Sequence, residues 1–414
     1  MAQGGYNRTF SHALSGPILS DAHLMAEVVF TGLEFPTSMA FLGPDDILVL
    51  EKNEGTVKRI INGETLEEPL LKVNVAQENE RGMLGIAVAK HPNTNSTFVF
   101  LYFTEAETRL DEEQLTVSNR LYRYEMVNDK LINPKLLLGL PPTGRTVHNG
   151  GVTVVGPDDN LYVAVGEAGN PETKSRNIKT GSQPFGTSGI LRMTQEGYPV
   201  RNGTSGILGN TSPLNLYFAY GIRNSFGMDF DPITGNLWDT ENGPYYGDEI
   251  NLVEPGFNSG WEYMHGIWKQ KEGSAGDVVT NPADSLVDFN GRGRYSDPEL
   301  TWLQPGLGLT ALKFLSSDKL GNQYENDMFV GDWIRGNIYH FDLNENRTAL
   351  TVDGVLKDRI VNTHKESLSA VFGAKFGGIT DIEVGPDGYL YILSLQDTQT
   401  DLGGGTIYKI TSRN

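Results

Sequence analysis

The segment Thr146–Asn170 reads TVHNGGVTVVGPDDNLYVAVGEAGN and sets one of the chain's seven histidines, His148, one residue ahead of two glycines. An imidazole titrates near neutral pH, so one held at the mouth of a cavity can act as a general base. His91 falls in a turn, His265 and His340 fall among aromatics, and His12, His23 and His364 fall in polar stretches. Those settings suit ordinary core or surface roles. A second rich stretch, Ala219–Tyr263, opens on Arg223 and Asn224. Arginine is a fixed cationic fork for carboxylates and oxyanions, and asparagine both donates and accepts. A structural ion pair would leave the same trace at Arg223. In ENGPYYGDE, Glu241, Asp248 and Glu249 surround the Gly243-Pro244 turn. Carboxylates beside exposed backbone carbonyls are the donors calcium takes, although the spacing is not that of an EF-hand loop. Glu80, in ENERGMLG, and Glu167, in VGEAGN, add carboxylates at related places.

These residues recur within a repeat. A short apolar strand, a Pro/Asp/Gly turn and a second apolar strand begin at Thr37, Gly82, Gly150, Phe226, Leu309 and Ile379, usually followed by a further strand. The turns read Gly-Pro-Asp-Asp, Gly-Pro-Asp-Gly or Asp-Pro-x-x-Gly, in which Pro presets φ and Gly or Asp tolerates the left-handed region. Such repetition predicts an all-β fold, a six-bladed β-propeller with four-stranded antiparallel blades. Residues 1–25 read as an N-terminal arm and 26–414 as one propeller domain, with a long loop insertion at about 262–308. The best helical candidate, ETRLDEEQLTVSNR from Glu107, lacks a clean apolar stripe. In a propeller, strand-entry residues converge on the central channel, so His148, Arg223, Glu80 and Glu167 become neighbours.

Composition removes other classes of chemistry. The 414 residues contain no cysteine, which excludes disulfides, thiolate catalysis and Cys-bound zinc or iron–sulfur clusters. A net charge of −19 opposes binding to nucleic acid or anionic membranes. No apolar run reaches the length of a membrane span, and the first residues show no signal-peptide pattern. Five Asn-x-Ser/Thr sequons, at Asn7, Asn95, Asn202, Asn210 and Asn346, favour an extracytoplasmic setting.

The motifs RGMLGIAVAKHP, HNGG…GPDDNLYVAVGE, YGIRNSFG, ENGP…DEINLVEPGFNSGW and GITDIEVGPDGYLY occur in order along nearly the whole chain. In this the sequence resembles the soluble glucose/sorbosone dehydrogenases, also called aldose sugar dehydrogenases. The resemblance implies a six-bladed propeller that uses pyrroloquinoline quinone and calcium to oxidise the anomeric carbon of a sugar. It implies that His148 is the general base and that Arg223 and Asn224 contact the quinone oxygens. It further implies that Gly243 and Pro244 lend carbonyls to the cofactor's calcium. Asp248 falls in the same acidic run, and Glu249 would hold a second calcium. Glu80 and Glu167 would lie on the substrate side. Gly378, Thr380 and Ile334 stand where cations for the quinone carboxylates are expected, and Val147 where an acid is. Lys375 and Arg335 are the nearby cations that would substitute. A small sugar, an external electron acceptor and a monomer or homodimer complete the expectation. The same residues leave open a calcium-binding propeller without redox chemistry that binds carbohydrate or protein, and a metal-dependent lactonase.

Overall fold

The computed structural model describes residues 16–413 except 91–95, 109–114, 143, 169–176, 180–184, 202–205, 272–273, 304–305 and 396–403. The described chain is all-β. Its turns show why the repeat folds as it does. In GPDD, Gly156 N donates to Asn160 O and Asp158 Oδ2 accepts from the Tyr162 hydroxyl at 3.0 Å. In GPDG, Gly385 N donates to Tyr389 O and Asp387 Oδ2 accepts from the Tyr391 hydroxyl at 2.9 Å. An aspartate in the turn thus locks onto a tyrosine of the strand that follows, twice and in the same register.

Six sheets are built on antiparallel strands that follow one another in the chain. Their first strands are Pro36–Gly43, Met83–Lys90, Thr153–Val155, Ser225–Phe230, Leu309–Phe314 and Gly378–Val384. Neighbouring first strands touch in that order, and the last returns to touch the first. The final sheet takes its outer strand, Leu24–Glu34, from the start of the chain, where it pairs with Gly404–Ser412. Residues 24 and 25, expected in an arm, are therefore sheet residues. Four strands is the count for two of the six sheets. Others are extended at the outer edge: Phe257–Asn258 and Arg294–Tyr295 add in parallel to one, and Ile360–Val361 to another. Inserted chain covers edges that would otherwise present unpaired backbone. The insertion also carries a small sheet of its own, Met264–His265, Trp268–Lys271 and Ser274–Val278. The helical candidate is strand at both ends, Thr97–Thr108 and Leu115–Val127; its centre lies outside the described residues.

Alternation along the strands sends apolar side chains into the clefts between sheets. Leu48, Val57, Ile86 and Phe103 pack between the first two, and Met39, Ile47, Leu393 and Ile407 between the last and first. Each such side chain contributes about 1.5–3 kcal/mol on burial. The rigid sheets fix where each first-strand entry and each second-strand exit emerges.

Candidate active site

Backbone geometry holds His148 in place. It adopts φ 60°, and Gly150 and Gly151 follow at 63° and 129°. Strand Leu161–Val165 ends at Gly166, where a Cβ would stand 2.2 Å from the His148 carbonyl oxygen. At Gly150 a Cβ would meet the Ala164 carbonyl at 2.6 Å. Only glycine allows the entry of one strand and the exit of the next to pass this closely. A histidine in the left-handed region is strained, and such strain persists where surrounding contacts over-determine it. Here they do. Glu80 Oε2 accepts from His148 N at 2.6 Å and from Asn224 Nδ2 at 3.1 Å, while Asn224 Oδ1 accepts from Gly150 N at 3.1 Å.

The imidazole sits between two groups of fixed polarity. Nδ1 lies 2.6 Å from Glu167 Oε1, and Nε2 lies 2.8 Å from Arg223 Nη2. An ionised carboxylate only accepts and a guanidinium only donates. The ring therefore carries its proton on Nδ1 and keeps its lone pair on Nε2. Arg223 also donates from Nη1 to Asn242 O at 2.7 Å and lies over the Trp261 ring at 5.4 Å. Burial lowers its pKa, opposed by Glu167, Glu80, Glu241 and Asp248.

Beneath Arg223 is a floor of buried acids. Strands Leu237–Glu241 and Asp248–Val253 pair Asp239 with Asn251 and Glu241 with Glu249. Period-two alternation places all four on one face. Burial raises the Glu241 carboxyl well above the usual range and takes Glu249 to about 8 and Asp239 to about 7. Asp248 points elsewhere. Its Oδ1 accepts from Gly243 N at 2.8 Å, and its Oδ2 from Leu307 N at 2.5 Å and Gly308 N at 2.9 Å. It ties the Gly243-Pro244 turn to the 306–308 loop, with both oxygens directed at backbone amides.

A cavity of about 340 Å³ opens beside His148, lined by Lys52, Asn79, Glu80, Gly150, Phe226, Asn242, Trp333 and Thr380 among others. On its wall Asn242 Oδ1 is buried without a partner, as are Glu167 Oε2 and Arg223 Nε beside His148. His148, Asn224 and Arg223 adjoin it through the lining residues Glu80 and Asn242 without lining it themselves, and Lys375 and Arg335 are not among the lining residues either. Lys375 sits at φ 67° on an exposed turn, and Arg335 is half-buried outside the cavity. The cation that does line it is Lys52, whose Nζ donates to the carbonyls of Gln77, Asn79 and Arg81 at 2.9–3.3 Å. Burial lowers its pKa to about 8, partly offset by Glu80. Lys52, Glu167, Asn242 and Trp333 all lie one or two residues beyond the second strand of a repeat unit. That shared position is the signal by which Lys52, Asn242 and Trp333, missed in the sequence, could have been found.

The sequence profile described as Glucose / Sorbosone dehydrogenase matches residues 33–402. The chain belongs to this family. It is 25% identical over 403 residues to the aldose sugar dehydrogenase YliI of Escherichia coli, covering 95% of this chain and 94% of that one. It is 29% identical over 269 residues to quinoprotein glucose dehydrogenase B of Acinetobacter calcoaceticus, covering 60% of this chain and 54% of that protein. In fold it is similar to the PQQ-bound aldose sugar dehydrogenase of Streptomyces coelicolor, with TM-score 0.65 and 22% identity over 95% of this chain and 99% of that one. At one of the three positions where cations were expected, packing leaves no room. A Cβ on Gly378 would lie 2.7 Å from the Trp333 ring, so the indole fills that space. Thr380 lines the cavity, and Ile334 is 64% exposed.

Proposed function

We propose that this chain oxidises the anomeric carbon of aldose sugars, using pyrroloquinoline quinone and calcium, on a six-bladed propeller whose channel mouth is the cavity beside His148. The observation that carries the reading is the imidazole held between Glu167 and Arg223, with its lone pair on Nε2. Family membership and the quinoprotein relatives support the choice of cofactor. Phe226 and Trp333 line the cavity with apolar surface for a planar group, and Asn242 Oδ1 on its wall has no partner. Arg223, Asn224 and Lys52 would face the quinone's oxygens and carboxylates, and Gly243 and Pro244 its calcium. Asn224 would do so with its remaining N–H, since its other polar contacts clamp Gly150 and Glu80.

Pyrroloquinoline quinone, when bound, would supply the two-electron acceptor for the hydride of the anomeric carbon. His148 Nε2 takes the proton of the anomeric hydroxyl, leaving a lactone. Glu167 holds Nδ1–H and stabilises the imidazolium that forms. The sugar hydroxyl competes with Arg223 for the Nε2 lone pair, and the displaced guanidinium stabilises negative charge developing beside it. Glu80 keeps the strained His148 turn closed, and Glu167 Oε2 is free to accept from a second sugar hydroxyl.

The test is reconstitution of the purified chain with the quinone and calcium, followed by addition of aldoses and a dye acceptor. Cofactor binding at micromolar concentration and sugar-dependent dye reduction are expected. Failure to bind the quinone at tens of micromolar would remove this reading. Metal-dependent lactone hydrolysis without quinone would replace it with a hydrolase.

A further inference from the structure

Asp327, His340 and Asp342 converge at the end of the fifth sheet that is remote from the cavity. Asp327 precedes the strand Met328–Asp332, and Asp342 follows the strand Ile338–Phe341. In that antiparallel pair Met328 stands opposite Phe341, so Asp327 and Asp342 face each other one step further out. His340 lies two residues before Asp342, and period-two alternation puts it on the same face. The other end of the strand leads to Trp333 in the cavity wall, roughly 20 Å from Asp327 at about 3.3 Å per residue. The cluster shares no residue with the proton-transfer site or the acid floor.

Like charges directly opposite in a sheet are destabilising. Among the described residues, no lysine or arginine pairs with either acid, and neither carboxylate accepts from a backbone amide. Their shared partner is His340, whose Nε2 lies 2.9 Å from Asp327 Oδ2 and 3.5 Å from Asp342 Oδ1. One ligand atom from each of the three residues lies within 4.8 Å of the other two. For bonds of about 2.1 Å, two ligands on one ion stand about 3.0 Å apart at a right angle and about 3.4 Å apart at a tetrahedral one. The observed distances match that range. The two acids also crowd each other: partial burial and the Asp327 carboxylate raise the Asp342 pKa, with His340 opposing. Packing aims the imidazole, with the Tyr324 and Phe329 rings each 5.1 Å from its centre and Phe372 at 6.4 Å. Asp327 is 13% exposed and Asp342 61%, so the cluster opens to solvent on the Asp342 side.

We infer that Asp327, His340 and Asp342 form a binding site for one divalent d-block cation, zinc foremost. One imidazole and two carboxylates are donors that zinc takes, whereas calcium takes an all-oxygen shell. Three protein ligands leave a further position to water, which the open side of the cluster admits. The ion takes the place of any proton on Nε2, because a metal-bound imidazole must be neutral. Bound there, it neutralises the facing acids and ties two strands of the fifth sheet together at the end away from the cavity. The His-x-Asp pair of one strand and the aspartate opposite it supply the whole protein share of the site.

The experiment uses the full chain without an affinity tag, stripped with chelator and free of quinone, so its outcome is independent of the sugar-oxidation reading. Saturating Ca(II) is then added to fill oxygen-lined sites, and the chain has no cysteine to compete for zinc. Zn(II) is titrated by isothermal calorimetry, with bound metal counted by native mass spectrometry. One equivalent with micromolar or tighter affinity is expected. His340→Phe, which keeps a ring in the aromatic packing, and Asp342→Asn should each weaken it at least tenfold, and His148→Gln should leave it in place. Zinc bound equally by wild type and His340→Phe, an equivalent lost in His148→Gln instead, or no zinc bound by the wild-type chain would overturn the inference. Should His340→Phe fail to fold, Asp342→Asn, at an exposed position, decides alone.

Discussion

Replacing Glu167 by glutamine isolates one charge in the proposed proton-transfer site. The wild-type contact is 2.6 Å and the Glu167 side chain is only 4% exposed, so solvent screens it little. In Glu167→Gln the amide could present either its oxygen or its NH2 to Nδ1. Presenting NH2 would put the ring proton on Nε2, directly against the Arg223 Nη2 donor at 2.8 Å. Arg223 therefore enforces the oxygen, and the tautomer survives. What is lost is the charge assistance, about 1–2 kcal/mol between a charged and a neutral hydrogen bond. The imidazolium forms only as the proton moves, so the loss falls on kcat, roughly 5- to 30-fold. Glu167→Ala also removes the acceptor that holds Nδ1–H and orients the ring, and should lose about 10²–10⁴-fold, the usual range for general base catalysis. The assay is steady-state dye reduction by the reconstituted protein, with cofactor affinity measured separately by fluorescence. Wild-type kcat in Glu167→Gln, or a change confined to KM, would refute the pairing as part of the mechanism.

Other consequences can be checked on the same protein. Lys52 has its pKa lowered to about 8 by burial, so its ammonium is lost as pH rises through that value. Affinity for the tricarboxylate quinone should fall by roughly fivefold between pH 7 and 9 in wild type, for about 1 kcal/mol of charge interaction, and stay flat in Lys52→Met. Because this folded-state pKa lies below the unfolded one, Lys52 should make the quinone-free protein more stable as pH rises from about 8 towards 10.5; chemical denaturation at several pH values, compared with Lys52→Met, measures it. Gly378→Arg, which supplies an expected family cation, should instead destabilise the fold by about 1–3 kcal/mol, since its Cβ meets Trp333; its melting temperature should recover when Trp333→Ala is added. Asp248→Asn sets an NH2 group against backbone donors and should cost about 1–3 kcal/mol in denaturant titration, with weaker calcium-dependent cofactor binding.

Much of this site was legible in the sequence because the repeat made distant residues equivalent. His148, Arg223, Asn224, Glu80 and Glu167 stand at strand entries or exits of different units, and sheet geometry brings them together. The family resemblance named their roles, but the turn-forming glycines and period-two strands already pointed to their common face. What could not be read was the direction of side chains on irregular backbone. Lys375 follows a strand that ends in a left-handed turn, which sends it to solvent. Arg335 lies beyond Trp333, whose ring lines the cavity and abuts Gly378. Asp248 is one residue from Glu249, and alternation alone sends one to the backbone of a distant loop and the other to the acid floor. His265, in a two-residue strand of the insertion, belongs to no repeat, so nothing in the pattern aimed it at Glu241 and Glu249.

The central claim is that His148 Nε2 removes the anomeric proton as the hydride leaves. Its most direct test is a single anaerobic turnover of quinone- and calcium-loaded protein with an aldose, following cofactor reduction by stopped-flow absorbance. Wild type should reduce its cofactor, more slowly with a sugar deuterated at the anomeric carbon. His148→Gln should bind the cofactor with unchanged affinity and reduce it at least 10²-fold more slowly, the lower bound for a lost general base. Reduction at the wild-type rate in His148→Gln would contradict the account.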